Sequence, residues 1–187
     1  MNADTLFETD RLIIRHLQPY DDKGMFLMDS DPEVHSYVGK KPVKTVEETR
    51  AVIDFIRQQY LDFGMGRWAV IEKSTNEFVG WTGFKHMAGP ANGHTNFCDF
   101  GYRLAYKFWG KGYATEAGIA AVKYGLSILK LQDIYAMTDV DNIASIRVLE
   151  KTGFRLVEIF NYDAEPNWRE PGQPTTWYQY IHPPAQL

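Results

Sequence analysis

Residues 109–116 read Trp109-Gly110-Lys111-Gly112-Tyr113-Ala114-Thr115-Glu116, and they follow a predicted strand and open a predicted helix. The two glycines let the backbone turn its N–H groups toward one point, where the helix dipole adds positive potential. Such a loop suits a pyrophosphate, to which Lys111 would add a charge and Thr115 a hydroxyl. The spacing matches neither a Walker loop nor Gly-x-Gly-x-x-Gly. On the residues alone, the alternative is that Gly110 and Gly112 only turn the chain and cap the helix.

The segments on either side of this loop predict a mixed α/β sheet. Apolar, β-branched runs between turn residues indicate strands, and apolar residues spaced by three and four indicate helices. The predicted strands are Arg11–Leu17, Arg67–Glu72, Phe78–Lys85, Asn96–Leu104, Gln132–Val140, Phe154–Phe160 and Thr175–Ile181. The predicted helices are a short one after Pro19, then Thr45–Leu61, Gly112–Lys130 and Ile143–Lys151. Met87–Thr95 and Asp163–Pro174 are predicted to be irregular.

Local signals define several helix ends and faces. Thr45 and Glu48 have the spacing of a capping box, in which each side chain satisfies a backbone donor. Gly153 is placed to terminate the helix that precedes it. One side of the helix after the glycine loop is predicted to pack closely against the sheet because its residues are mostly small. These residues are Ala114, Gly118, Ala121, Gly125 and Ile128.

The predicted strand Asn96–Leu104 separates two kinds of side chain by alternation. One face carries Cys98, Phe100, Tyr102 and Leu104, and the other carries Asp99, Gly101 and Arg103. Cys98 has no nearby histidine pattern and is interpreted as buried filler rather than a nucleophile.

The composition excludes several classes of protein. The 187 residues are 44% hydrophobic, which fits one domain spanning residues 1–187, and the formal charge of -4 gives no basic footprint for nucleic acid. A single cysteine excludes an internal disulfide and a cysteine-based zinc site, and the histidines lack metal-ligand spacing. The start lacks the pattern of a signal peptide, and no run reaches membrane-span length. We therefore expect a cytoplasmic protein without metal, nucleic-acid or membrane partners.

The stretch from Trp109 to Ala117 resembles the acetyl-CoA pyrophosphate loop of the GNAT superfamily, Gln/Arg-x-x-Gly-x-Gly/Ala, with Gly112 and Ala114 in the small positions. Trp109 replaces the Gln/Arg, as is usual in the RimJ/RimL-like branch of ribosomal-protein N-acetyltransferases, whose pattern Trp-Gly-x-Gly-Tyr-Ala-Thr-Glu-Ala is matched here. The resemblance runs from Thr9–Arg15 to Lys151–Phe154 and includes the element Asn142-Ile143-Ala144-Ser145.

This resemblance implies a GNAT fold, with a mixed, mostly antiparallel sheet of about seven strands and about four flanking helices. It also implies acetyl-CoA as cosubstrate, with its pantetheine arm admitted where the strand ending at Leu104 splays from its neighbour. The cofactor would contact Tyr102, Arg103, Leu104, Trp109, Gly110, Lys111, Gly112, Tyr113, Ala114, Thr115, Asn142 and Ser145. For Asn142, capping the following helix is an equal alternative, and both roles are compatible.

The resemblance also suggests catalytic residues. Asp99 occupies the position at which the branch often carries glutamate, so it is the candidate general base. The competing interpretation is a solvated carboxylate paired with Arg103. Ser145 is the candidate proton donor to the leaving thiolate, with helix capping or a hydrogen bond to CoA as alternatives.

We therefore expect an acyltransferase that moves an acetyl group from acetyl-CoA to a primary amine by direct attack in a ternary complex. The favoured acceptor is a protein N-terminus; the alternatives are a small amine (polyamine, amino acid or aminoglycoside), a catalytically idle CoA-binding module, and a nucleotide-binding enzyme. Acceptor specificity is expected from His35, Tyr37 and the stretch Asp163–Pro174. The sequence is compatible with a monomer or a homodimer.

Overall fold

The computed structural model describes residues 4–39, 41–162 and 172–182, and within them eight strands form one sheet in the order β1-β2-β3-β4-β5-β6-β8-β7. The strands are β1 Thr5–Glu8, β2 Leu12–His16, β3 Arg67–Glu72, β4 Phe78–Met87, β5 Phe97–Leu104, β6 Ile134–Asp139, β7 Phe154–Asn161 and β8 Pro174–Tyr180. The helices are α1 Asp22–Asp29, α2 Val46–Phe63, α3 Tyr113–Ser127 and α4 Ile143–Lys151. Neighbouring strands are antiparallel except β5 and β6, which are parallel.

The predicted mixed, mostly antiparallel α/β sheet is confirmed, with one strand more than expected. The additional strand is β1, which pairs with β2 at the edge of the sheet. Its four residues are too few to show a period of two, so the sequence pattern did not reveal it. Residues 163–171 of the predicted irregular stretch lie outside the described residues, and Pro174 already belongs to β8.

Alternating side chains of the sheet build two apolar layers. Trp68 and Val70 of β3 join a cluster with Ala117 of α3, whereas the intervening Ala69 joins a second cluster with Met25 of α1. Helices α1 and α2 therefore cover one face, and α3 and α4 cover the other.

The close packing of α3 depends on its small residues. A Cβ at Gly125 would lie 2.6 Å from the Phe84 ring, which fills the space that the glycine leaves. Ala117, Ala121 and Gly118 are buried as well. Ile128 was predicted to join this face but is exposed, because α3 ends at Ser127 and the chain turns there.

Both side chains of the predicted capping box, Thr45 and Glu48, accept a backbone hydrogen bond. The Thr45 hydroxyl accepts a hydrogen bond from the Glu48 N–H at 3.2 Å, while the Glu48 carboxylate accepts from Lys44, one residue before the cap. Within the described ranges, no helix is both long enough and apolar enough to cross a membrane.

Candidate active site

The parallel strands β5 and β6 separate and leave a wedge in the middle of the sheet. They pair only at Cys98 with Ile134 and at Asp99 with Tyr135, and β5 then continues to Leu104 paired with β4 alone. Helices α3 and α4 both begin at this open end. In open α/β sheets, ligands bind in the crevice at the carboxyl ends of strands whose connections diverge. The wedge is therefore the candidate site, and it lies where the resemblance to the GNAT superfamily implies the pantetheine arm.

The glycine loop lies at the mouth of the wedge. Gly110 and Gly112 have φ of 72° and 80°, in the left-handed region that favours glycine, and Gly112 is the N-cap of α3. Counting from the start of α3, the Glu116 N–H is the first described backbone N–H that donates to a backbone carbonyl; it donates to the Gly112 carbonyl at 3.0 Å. The N–H groups of residues 113–115 are thus available to an anion, as they are at the start of any uncapped helix.

Tyr102 spans the wedge from β5 to α4. Its hydroxyl lies 2.9 Å from Ser145 Oγ and donates or accepts a hydrogen bond there. Burial raises the pKa of Tyr102 to about 12, while the hydrogen bond with Ser145 acts in the opposite direction. The Asn142 side chain accepts from the Ser145 N–H at 3.0 Å, so the predicted helix-capping role of Asn142 is confirmed. The two predicted residues Tyr102 and Ser145 therefore form one hydrogen-bonded unit.

Asp99 lies on the opposite face of β5 and is buried in an ion pair with Arg67. The Arg67 guanidinium crosses the sheet above Gly101, where a Cβ would approach it to 2.8 Å, and it also donates to the Gly83 carbonyl at 2.5 Å. Burial raises the pKa of the Asp99 carboxyl, and the positive charge of Arg67 opposes that shift. The carboxylate is thus positioned by a fixed arginine.

The alternative pairing of Asp99 with Arg103 was wrong. Residues four apart on one strand are about 13 Å apart along it, too far for this contact. Arg103 instead forms an ion pair of 2.7 Å with Asp29 of α1. Its guanidinium therefore faces the α1–α2 side, and only its backbone lies along the wedge.

A family model described as the acetyltransferase (GNAT) domain matches residues 11–155. The chain belongs to the GNAT acetyltransferase family. It is 34% identical over 152 residues to an uncharacterized N-acetyltransferase from Bacillus licheniformis, covering 81% of this chain and 83% of that protein. The protein is accordingly an acyltransferase, and GNAT acetyltransferases use acetyl-CoA.

Solved structures agree with this assignment. A GNAT-family acetyltransferase from Bacillus anthracis superposes with a TM-score of 0.74 and 28% identity over 93% of this chain and 96% of its own. The ribosomal L7/L12 α-N-protein acetyltransferase RimL, in complex with coenzyme A, superposes with a TM-score of 0.78 over 95% of this chain and 98% of its own. Because that identity is 18%, the second likeness shows the shared fold.

The glycine loop has a cationic neighbour, Arg11, that no local sequence pattern indicates. Arg11, the residue before β2, donates to the Lys111 carbonyl at 3.0 Å and forms an ion pair of 2.6 Å with Glu116. Its guanidinium lies 4.3 Å from the centre of the Tyr113 ring. Arg11 and Glu116 are 105 residues apart in sequence, so only the fold brings them together.

The aromatic residues of the glycine loop hold it against the sheet through hydrogen bonds. The Trp109 indole donates to the Leu104 carbonyl at 2.8 Å, and the hydroxyl of the buried Tyr113 donates to Glu72. The side chains of Trp109 and Tyr113 thus position the predicted cofactor residues Gly110, Lys111 and Gly112. Ala114 and Thr115 follow in the first turn of α3.

Two further sequence interpretations concern Cys98 and the histidines. Burial raises the pKa of the Cys98 thiol to about 12, which keeps it protonated and supports its role as filler. His35 lies in the turn after α1, where it is buried. In the part of the chain that the structure describes, no group of three or more His, Cys, Asp or Glu side chains is arranged to hold a metal ion.

Proposed function

We propose that this enzyme transfers the acetyl group of acetyl-CoA to the α-amine of a protein N-terminus by direct attack within a ternary complex. The observation that carries this proposal is the wedge between β5 and β6, with Asp99 on one face of β5 and Tyr102 on the other. A thioester held between the strands would be approached by the amine from one face and protonated on sulfur from the other.

The residues at the mouth fit the pyrophosphate of CoA. The N–H groups of residues 113–115 and the α3 dipole would bind its oxygens, and the Lys111 side chain would add positive charge, whereas the charge of Arg11 is balanced by Glu116. The pantetheine arm would then follow β5, where strand pairing with β6 has ended. Backbone groups of Tyr102, Arg103 and Leu104 would bind the arm and stabilise the oxyanion.

Asp99 would act as the general base. An α-amine has a pKa of about 7.7 to 8.0, so a carboxylate of raised pKa suffices to take its proton, directly or through water. Arg67 would keep the carboxylate oriented and stabilise its charged form. The weaker basicity of an α-amine relative to a lysine amine, at about 10.4, is one reason for favouring the N-terminus.

Ser145 would protonate the departing thiolate, supported by Tyr102. A thiolate with a reference pKa of about 8.5 is a weak base toward serine and toward Tyr102, whose pKa is about 12. The hydrogen-bonded pair would therefore stabilise the departing sulfur and pass it a proton that solvent returns to the pair. The hydrogen bond from the Ser145 N–H to Asn142 would hold this donor at the start of α4.

Two considerations support the acceptor class. The loop from Trp109 to Ala117 resembles the RimJ/RimL-like branch, and the RimL structure named above is that of a ribosomal-protein α-N-acetyltransferase. His35 and Tyr37, which were predicted to contribute specificity, lie in the turn after α1 on the Asp99 side of the sheet. A small-molecule amine is the alternative acceptor.

The test is release of the CoA thiol from acetyl-CoA in the presence of N-terminal peptides, lysine ε-amine peptides and polyamines, with the acetylated product identified by mass. The proposal predicts turnover that is fastest with an α-amine peptide and steady-state kinetics of a ternary complex. Saturable CoA binding without thiol release for any acceptor would indicate the idle CoA-binding module instead.

A further inference from the structure

The α1–α2 side of β4 and β5 carries a compact set of charged side chains around Asp99. In the antiparallel register, Trp81 lies opposite Arg103, and Lys85 lies opposite Asp99. Residues two apart on each strand share a face, so these side chains form one surface, which we call the acceptor floor. The acceptor floor consists of Arg67, Trp81, Lys85, Asp99 and Arg103.

The carboxylates at this surface are already bound to arginines. Asp99 is paired with Arg67, and Asp29, which reaches the surface from α1, is paired with Arg103. The two guanidiniums lie 5.2 and 5.4 Å from the centre of the Trp81 ring, which fixes them further. A cationic acceptor would therefore share each of these carboxylates with an arginine.

Lys85 is the one cationic side chain of the acceptor floor that is not in an ion pair with a described carboxylate. Among residues 4–39, 41–162 and 172–182, no carboxylate forms an ion pair with its ammonium, which lies 5.4 Å from the centre of the Phe55 ring. Burial lowers the pKa of Lys85, the charge of Arg67 lowers it further, and Asp99 raises it. The pKa of His35 is lowered by burial and by Arg103, so this residue adds no charge at neutral pH.

The three cations Arg67, Lys85 and Arg103 face two carboxylates, so the surface carries one excess positive charge. This excess has two consequences for a bound amine. It disfavours a polyamine, whose additional ammonium groups would meet Lys85 and two arginines without an open carboxylate. It also lowers the pKa of the reacting amine and so favours the neutral nucleophile. A nearby carboxylate on the acceptor would offset the charge of Lys85 and form a charge-assisted hydrogen bond with it.

We propose that the acceptor floor selects an α-amine that has a carboxylate close by, with the Lys85 ammonium binding that carboxylate. This inference rests on the proposed acetyl transfer to an α-amine and narrows the class of acceptor. Two sources share the chemistry: a peptide with an acidic residue next to its N-terminus, and a free amino acid.

The experiment compares acceptors with and without that carboxylate, and kcat/KM is expressed per neutral amine because loss of a neighbouring carboxylate also lowers the pKa of the amine. The peptide Ser-Asp-Ala-Ala amide is compared with Ser-Asn-Ala-Ala amide, and serine with serinamide, at saturating acetyl-CoA. We expect kcat/KM to be at least about tenfold higher for the acidic member of one pair, the size of one charge-assisted hydrogen bond, and lowest for spermidine. The pair that shows the preference identifies the source.

Variants assign the preference to one side chain. Lys85→Met should reduce the acidic-to-neutral ratio to within about twofold, and Lys85→Arg should retain most of it. The matched control is Lys123→Met on the exposed side of α3, which should leave the ratio unchanged.

The comparison of acidic and neutral acceptors with the wild-type enzyme tests the inference even if a variant unfolds. Equal or faster turnover of both neutral acceptors, or a preference for spermidine, would overturn the inference while leaving the acetyltransferase function intact. Absence of thiol release with all five acceptors, together with a lack of acetyl-CoA binding, would instead contradict the proposed function.

Discussion

At the residue scale, the proposed chemistry depends on Asp99, a buried carboxylate that must take a proton beside a fixed arginine. Its pKa is raised by burial, so the basic form appears as the pH rises through that raised value. We expect Asp99→Asn to reduce kcat/KM at neutral pH about a hundredfold or more, and to remove the part of the pH profile that reflects this ionisation. The acceptor amine contributes its own ionisation, so the difference between the wild-type and variant profiles is the informative quantity.

The matched control for this change is Asp133→Asn, at an exposed position before β6. Its profile should follow that of the wild type, and the acetyl-CoA dissociation constant should be unchanged in both variants. A pH profile for Asp99→Asn that matches the wild type in shape and height would eliminate Asp99 as the base.

The sequence predicts the face of β5 on which Asp99 lies, because strand alternation is a local property. It does not predict the partner, since Arg67 reaches Asp99 only after β3, β4 and β5 have paired. The same holds for Arg11, whose contact with Glu116 joins distant segments. Long-range polar contacts of this kind have no period that a single sequence displays.

At the element scale, the position of α3 over the sheet depends on Gly125. An alanine in an unconstrained helix interior would stabilise the fold by about 1 kcal/mol relative to glycine. Here the added Cβ would meet the Phe84 ring at 2.6 Å, and overpacking typically costs about 1–3 kcal/mol. We therefore expect Gly125→Ala to lower the free energy of unfolding by about 1 kcal/mol in urea titrations.

Gly89→Ala is the control for this substitution. A Cβ there has no neighbour within 4 Å, and the φ of Gly89 lies outside the left-handed region that favours glycine. It should leave the unfolding free energy within about 0.5 kcal/mol of the wild type. A stabilised Gly125→Ala variant would mean that α3 does not pack on Phe84 as described.

Elements with strong local signals were predicted well. The helix Ile143–Lys151 has the predicted bounds, and Thr45 caps α2 as its spacing to Glu48 indicated. The strand β1 was missed because it is short, and Ile128 was misplaced because the helical pattern continues past the residue where the helix ends. Local propensity thus defines most elements, while their last residues depend on tertiary packing.

At the scale of the whole molecule, the sheet separates two chemical environments. One face of β5 carries Asp99 toward α1 and α2, and the other carries Tyr102 toward α4. The gap where β5 and β6 separate lies between these two faces. The resemblance of the loop to a known family predicted the cofactor and the splay, and strand alternation predicted opposite faces for Asp99 and Tyr102. Only the assembled sheet shows that Ser145 lies beside Tyr102, on the side opposite Asp99.

The most direct test of the central claim is thermal unfolding in the presence of acetyl-CoA, CoA, ATP and NAD. A ligand at about 100 times its Kd stabilises the native state by about 2.7 kcal/mol, which for a chain of this size corresponds to about 5–10 °C in Tm. We expect this shift with acetyl-CoA and CoA only. Gly112→Val should abolish it, because valine is strained at a φ of 80°, whereas Gly93→Val, at a φ of 74° in a distant loop, should retain it. No shift with millimolar acetyl-CoA, or a larger shift with ATP or NAD, would contradict the assignment of the wedge and its glycine loop to CoA.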